Sequence, residues 1–314
     1  MKSIHLIAPS GASLDVKSPL AGIDWLKKQG IAIQNAESTQ RVHERFAGTD
    51  IDRLNELNEL TKLDSKTLVM AMRGGYGIHR LLPNIDWQGI AKAIQSGLQI
   101  CGHSDFTAFH LGLLAKTGAV SLSGPMLNFD FGQFDESGSV TTPDQFMWEH
   151  FTSAIDNQTL DCSVSAPQTF LGKKSLGTLS GLLWGGNLTV LTSLIGTEYL
   201  PDQKKTQSGI LFLEDVNEHP YRIERMLIQL LEAGVLNNQA AVLLGGFSAY
   251  RLYDNDKGYS LESAIRALRQ RLPNNIPLLT ELPFGHQPNK LTLPVGAITK
   301  LNYSPDGFSL SANW

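Results

Sequence analysis

Residues 98–118, "LQICGHSDFTAFHLGLLAKTG", decide how this chain is read. The apolar run at the start predicts a strand ending at Cys101. Phe106, Phe109, Leu111, Leu113 and Leu114 predict a helix with a broad apolar face directly after it. Ser104 lies at the turn between the two. A serine there can cap the helix through its side-chain oxygen. It can also be held on a tight elbow, its hydroxyl exposed above the sheet.

The surrounding chain repeats the pattern. "SIHLIAP" reads as a strand, "LAGIDWLKKQG" as a helix stopped at Gly30, and "IAIQNA" as a short strand. "DIDRLNELNELTKL" is amphipathic, with Ile51, Leu54, Leu57 and Leu60 predicted on one buried face. "KTLVMAM" is a strand running into "RGGYG", and "IDWQGIAKAIQSG" a helix before the opening stretch; "AVSLSGPM" follows it. Such alternation implies βαβ units, a parallel sheet and helices on both faces. Ligands in these sheets gather at the carboxyl ends of the strands. Both "RGGYG" and "GHSD" fall there, on consecutive strands, which favours a chemical role for Ser104 over a cap.

Between Asp130 and Pro167 the alternation weakens. "FDFGQFDESGSVTTPD" is rich in turn formers and "QFMWEHFTSAI" reads as a connecting helix. The expected architecture is α/β: an N-terminal parallel-sheet, flavodoxin-like domain over residues 1–145 and a smaller C-terminal α/β domain over 165–314. The second half supplies strands at "SGILFLED" and "AAVLLGGF" and helices at "PYRIERMLIQLLEAG" and "SLESAIRALRQRL", the last capped by Ser260. "KLTLPVGAITKLNYSPDGFSLSANW" predicts short antiparallel strands around Pro-Asp-Gly.

The chain has 314 residues, suits two domains, and carries a net charge of −4, which offers no general attraction for nucleic acid or an anionic membrane. No apolar run approaches the roughly 18 to 20 residues a membrane span needs. "MKSIHLIAPSGAS" is broken by His5 and Pro9, so it predicts a first strand and a cytoplasmic protein. Cys101 and Cys162 lie far apart, and the eight His residues form no metal-like spacing, so neither metal nor cofactor is expected.

Three segments carry candidate chemistry. In "RGGYG", Arg80 occupies the third position of a dinucleotide fingerprint, where close packing forbids a side chain; this argues against a nicotinamide enzyme. Its adjacent glycines instead let backbone N–H groups face an anion. Glu214 stands at the end of an apolar strand, where a carboxylate is costly without a partner. His286 lies in a loop between Pro283 and Pro288, free to reach another element. His103 is a rival base, although neighbours along the chain generally point apart. Ser104, Glu214 and His286 supply a nucleophile, an orienting acid and a base. Arg73 and Arg80 are candidates to clamp a substrate carboxylate, but both have a plain reading as structural ion pairs.

In order along the chain, "IAPSG", "RGGYG", "GHSD", "GGNLTVLTSLIGTEYLP", "GILFLEDVNEHPYRIERML", "PFGH" and "LPVG" resemble the LD-carboxypeptidase family, which includes murein tetrapeptide carboxypeptidases and microcin C self-immunity peptidases. The resemblance covers nearly the whole chain. It implies a metal-independent serine peptidase with Ser104 as nucleophile, Glu214 as acid and His286 as base. It further implies an oxyanion hole from the backbone of Gly74, with Gly75 as the alternative, and of Asp105. Asn187 in "WGGNL" is a candidate substrate contact, and Trp184 beside it reads at least as well as packing. The expected substrate is the murein tetrapeptide, losing its terminal D-Ala in cell-wall recycling, and the expected assembly a homodimer. Competing readings are cleavage of an aminoacyl-nucleotide and silent ligand binding on the same scaffold. One departure is plain: the residue before the nucleophile is usually Tyr in the family and is His103 here.

Overall fold

Strands buried on both faces need helices on both sides, and the first half of the chain meets that condition. The computed structural model describes residues 1–173 and 175–314. Its first half runs β1 (Ser3–Ile7), α1 (Lys17–Lys28), β2 (Ala32–Gln34), α2 (Asp50–Glu59), β3 (Leu68–Ala71), α3 (Trp87–Gln95), β4 (Gln99–Gly102), α4 (Thr107–Thr117) and β5 (Ser121–Ser123). The strands lie parallel in the order β2-β1-β3-β4-β5. That is the flavodoxin-like order expected from the alternation. The loops after β1, β3 and β4, carrying "APSG", "RGGYG" and "HSD", therefore emerge side by side at one edge.

The second half runs α5 (Gln145–Asn157), β6 (Thr159–Ser165), β7 (Gly177–Asn187), α6 (Leu188–Ser193), α7 (Gln203–Thr206), β8 (Ile210–Val216), α8 (Pro220–Glu232), β9 (Ala241–Ser248), α9 (Leu261–Arg271), β10 (Leu278–Leu279), β11 (Leu293–Val295), β12 (Ile298–Ser304) and β13 (Gly307–Asn313). Seven of these strands form a mixed sheet in the order β10-β9-β8-β7-β12-β13-β6. Pairing is parallel from β10 to β7 and antiparallel from β7 to β6. The β12–β13 hairpin turns at Pro305 and Asp306, with Ser304 opposite Gly307, as the sequence predicts. Ser260 caps α9 by accepting from Ser263 N. The strand β11 leaves this half altogether and pairs antiparallel with β5 at the edge of the first sheet.

The helix α2 departs from its predicted face. Ile51 is 69 % exposed, whereas Arg53, Glu56 and Leu57 are buried. Arg53 donates to Pro9 O (2.7 Å) and lies over the Phe46 ring, and Glu56 accepts from Ala8 N (2.8 Å). The loop after β1 is buried but irregular, so its backbone groups need side-chain partners. Two inward-facing charges supply them.

The helix α4 sits between the two sheets, with Phe109, Leu111 and Leu113 fully buried. Its first turn meets β7 where β7 has no side chain. A Cβ on Gly186 would stand 2.5 Å from Thr107 Oγ1, and Gly186 has φ 136°. Thr107 Oγ1 accepts from Asn187 N at 3.0 Å. No helix among the described residues is long and apolar enough to cross a membrane. Gly186→Ala is expected to force α4 off β7 and destabilise the protein by about 1–3 kcal/mol. Urea unfolding should show this as a lower midpoint with an unchanged m-value.

Candidate active site

Ser104 caps nothing. It occupies the left-handed region at φ 63°, its helical turn has no side-chain cap, and α4 itself starts later, at Thr107. A non-glycine residue in this region costs roughly 1–3 kcal/mol and is kept only where its surroundings enforce it. The enforcement is visible on both sides. A Cβ on Gly74 would lie 2.8 Å from both Cβ and Oγ of Ser104 and 3.1 Å from Asp105 N, so the "RGGYG" backbone passes directly over the turn. The Asp105 carboxylate, buried, accepts from Ser10 Oγ (2.7 Å) and from Ile78 N (3.1 Å). It thereby ties together the loops after β1, β3 and β4. Burial raises its pKa, and the two hydrogen bonds oppose that rise.

Glu214 and His286, the expected acid and base, meet at the second sheet. Two residues of β9, Gly245 and Gly246, oppose the single Glu214 of β8, a bulge that re-aims the strand end. The glycines also admit the loop that carries His286. A Cβ on Gly245 would lie 2.5 Å from Phe284 O, and Gly246 N donates to that oxygen at 2.8 Å. His286 Nδ1 then reaches Glu214 Oε2 at 2.8 Å, with Glu214 wholly buried. A carboxylate oxygen accepts, so Nδ1 carries the proton and Nε2 keeps its lone pair for the crevice.

His103, the residue before Ser104, packs against this pair. The ring centroid of His103 is 5.1 Å from that of His286, while among the described residues no hydrogen bond joins Ser104 Oγ to His286. Bonds of this kind often tighten only when substrate arrives. His103 is not free to act as a base. It is buried, and its Nδ1 donates to Gly124 O at 2.9 Å. Its Nε2 faces Lys290 Nζ at 3.5 Å, and Lys290 is paired at 2.7 Å with Asp130. Burial, and then the Lys290 cation, hold its pKa well below the ordinary imidazole value.

Asn187, expected at the substrate, is committed inside the protein. It is buried, its Oδ1 accepts from Val190 N, and its Nδ2 donates to Glu214 Oε1 (3.2 Å) and Asp215 Oδ1 (3.0 Å). Two adjacent buried carboxylates need such a shared donor. Burial first, and Glu214 beside it second, push the Asp215 pKa up. Trp184 is packing: it is buried and donates to Gln239 Oε1 at 2.9 Å. Arg80 pairs with Asp50 (2.7 Å), whereas among the described residues Arg73 bonds only the Ala12 carbonyl (2.8 Å). Cys101 and Cys162 are free, buried thiols, both with pKa raised by burial. Among the described residues no group of three or more His, Cys, Asp and Glu could hold a metal ion.

Residues 4–124 match the LD-carboxypeptidase N-terminal domain, and residues 180–301 match the LD-carboxypeptidase C-terminal domain. The chain belongs to the LD-carboxypeptidase family. It is 38 % identical to the muramoyltetrapeptide carboxypeptidase of Oxalobacter formigenes, whose crystal structure superposes with TM-score 0.85 over 100 % of this chain and 99 % of that one. The murein tetrapeptide carboxypeptidase of Pseudomonas aeruginosa is 29 % identical over 302 residues, 93 % of this chain and 91 % of its own length. The microcin C7 self-immunity protein MccF of Escherichia coli is 27 % identical over 317 residues, 93 % of this chain and 88 % of its own. Membership makes this chain a hydrolase of carboxypeptidase type.

Within that family frame, Arg53, Glu56, Asp105 and Asn187 support the site from behind. Asp105 and Asn187 are marked by their places beside Ser104 and after the paired glycines of β7, whereas nothing near Arg53 and Glu56 in the sequence signals this role. Asn187→Ala would leave the Glu214 and Asp215 carboxylates short of a buried donor. Stability is expected to fall by about 1–3 kcal/mol, read from urea unfolding. Asn187→Asp, which adds a third carboxylate, should be worse than Asn187→Ala.

Proposed function

We propose that this carboxypeptidase acts through a serine acyl-enzyme on a peptide in which an L-centre diamino acid is joined to a terminal D-amino acid. Ser104 Oγ attacks the carbonyl, His286 Nε2 takes its proton and returns it to the leaving amine, and Glu214 holds the imidazole's tautomer and orientation. The oxyanion is received by backbone N–H groups of Gly74 or Gly75 and of Asp105. Water then repeats the cycle on the ester and releases the shortened peptide. The observation that carries this reading is the strained Ser104: a hydroxyl with no capping role, held at φ 63° under the Gly74 backbone.

The murein tetrapeptide is the proposed substrate, giving tripeptide and D-Ala, since the relatives from Pseudomonas aeruginosa and Oxalobacter formigenes are named for that compound. On the same reading the nucleophile belongs to a unit over residues 1–145, and acid and base to one over 165–314. The enzyme works as a cytoplasmic homodimer in wall recycling and needs no metal or cofactor.

Purified protein incubated with murein tetrapeptide and EDTA is expected to yield tripeptide and D-Ala, followed by mass spectrometry. Ser104→Ala should lower kcat on the order of a millionfold. Gly74→Ala, which pushes a methyl into Ser104, should cost on the order of 100-fold or more. Activity lost with chelator, or retained in Ser104→Ala, would remove the serine mechanism. Turnover of an aminoacyl-sulfamoyl nucleoside in place of the peptide would move the substrate class toward that of MccF.

A further inference from the structure

A carboxypeptidase must tell a chain end from an internal residue. The distinguishing group is the α-carboxylate just beyond the scissile bond. Entering the crevice strips part of its water, so it needs a cation there with unused N–H groups.

Most cations around the three loops are already neutralised. Arg53 and Arg80 share Asp50, Arg41 is paired with Glu56, and Lys290 is sealed against Asp130. Arg73 is different. Among the described residues its guanidinium makes no ion pair; Nη1 donates to Ala12 O, and Nε is buried without a partner. Burial first, and the Arg45 cation second, lower its pKa. Uncompensated positive charge at the edge of a crevice is a standing attraction for an anion.

The position of Arg73 is equally specific. Its Nη2 lies 3.4 Å from where a Cβ on Gly75 would sit, and the preceding Gly74 is the residue pressed against Ser104. Its guanidinium lies over the Phe129 ring at 5.6 Å. Phe129 in turn lines a small cavity of about 70 Å³ together with His103 and His286. The unpaired cation therefore stands next to the glycine loop that covers Ser104 and, through Phe129, next to the cavity that His286 lines. Gly75, lacking a side chain, leaves the space beside Nη2 open.

We propose that Arg73 binds the free α-carboxylate of the peptide's terminal residue and so confines the enzyme to chain ends. The planar fork offers two parallel N–H bonds to a carboxylate, which a lysine at the same place would not. The assignment rests on the carboxypeptidase reading above, but it can be measured without turnover.

Ser104→Ala protein, titrated calorimetrically with tetrapeptide ending in D-Ala and with the same peptide as its C-terminal amide, is expected to bind the acid at least tenfold more tightly. In Ser104→Ala/Arg73→Gln the two peptides should bind alike, at the amide's affinity. Ser104→Ala/Arg73→Lys, which keeps the charge but not the fork, should recover part of the difference. A ratio of acid to amide affinity unchanged by Arg73→Gln, or no preference for the acid in Ser104→Ala itself, overturns the proposal. If Arg73→Gln fails to fold, the Arg73→Lys ratio decides: it must fall below that of Ser104→Ala. A protein that binds the acid through Arg73 yet hydrolyses no tetrapeptide would overturn the proposed reaction and leave this assignment standing.

Discussion

Glu214 is a charge with no access to water, and both of its oxygens are taken, one by His286 and one by Asn187. Burying an ion costs several kcal/mol, and removing one partner of a buried pair costs about 3–5 kcal/mol. The carboxylate therefore holds its partners as firmly as they hold it. Those partners come from separate places: the end of β7, and the loop that descends over the paired glycines of β9. Asn187 is itself tied through its backbone N–H to Thr107, at the start of the helix that follows Ser104. A single chain of hydrogen bonds thus runs from His286, through Glu214 and Asn187, to the helix after Ser104, crossing from one sheet to the other.

The strain at Ser104 belongs to the same economy of constraint. A left-handed serine would relax if its loop could move, and three loops prevent this. Asp105 anchors the "APSG" and "RGGYG" segments to the turn, while Arg53 and Glu56 hold the first of them by its backbone. Gly77 packs directly on Arg53, since a Cβ there would stand 2.5 Å from Nη1. The buried charges of α2 thus act at a distance on the serine, through the stiffness of the loops they hold.

Much of this was legible in the sequence, for identifiable reasons. Parallel strands buried on both faces leave apolar runs, and helices between them leave periodic ones, so the first sheet could be read in order. Residue type marked a hydroxyl and a carboxylate at strand ends and an imidazole in a loop. Other features were invisible because they depend on contacts between distant segments. The inward face of α2 looked like its surface, since Arg53 and Glu56 satisfy loop backbone that the sequence does not locate. "WGGN" and "AVLLGGF" displayed their glycines, but only the structure shows which side chain or carbonyl needs the space. Asn187 looked like a polar residue awaiting a ligand, and its donors are consumed by Glu214 and Asp215. Arg73 and Arg80 were indistinguishable until Asp50 was seen to pair with the second.

The departure at His103 can be understood in the same terms. An imidazole next to the proposed base would interfere if it were cationic, because a second positive charge would oppose protonation of His286 during attack. Its surroundings prevent this. The Gly124 carbonyl can only accept and the Lys290 ammonium can only donate, so the ring is fixed with hydrogen on Nδ1 and a lone pair on Nε2. A proton on Nε2 would meet the Lys290 cation head-on. Lys290 is in turn neutralised by Asp130, whose other oxygen accepts from Met126 N. Histidine can therefore stand where the resemblance leads one to expect tyrosine, because the protein surrounds it with partners that keep the ring neutral beside His286.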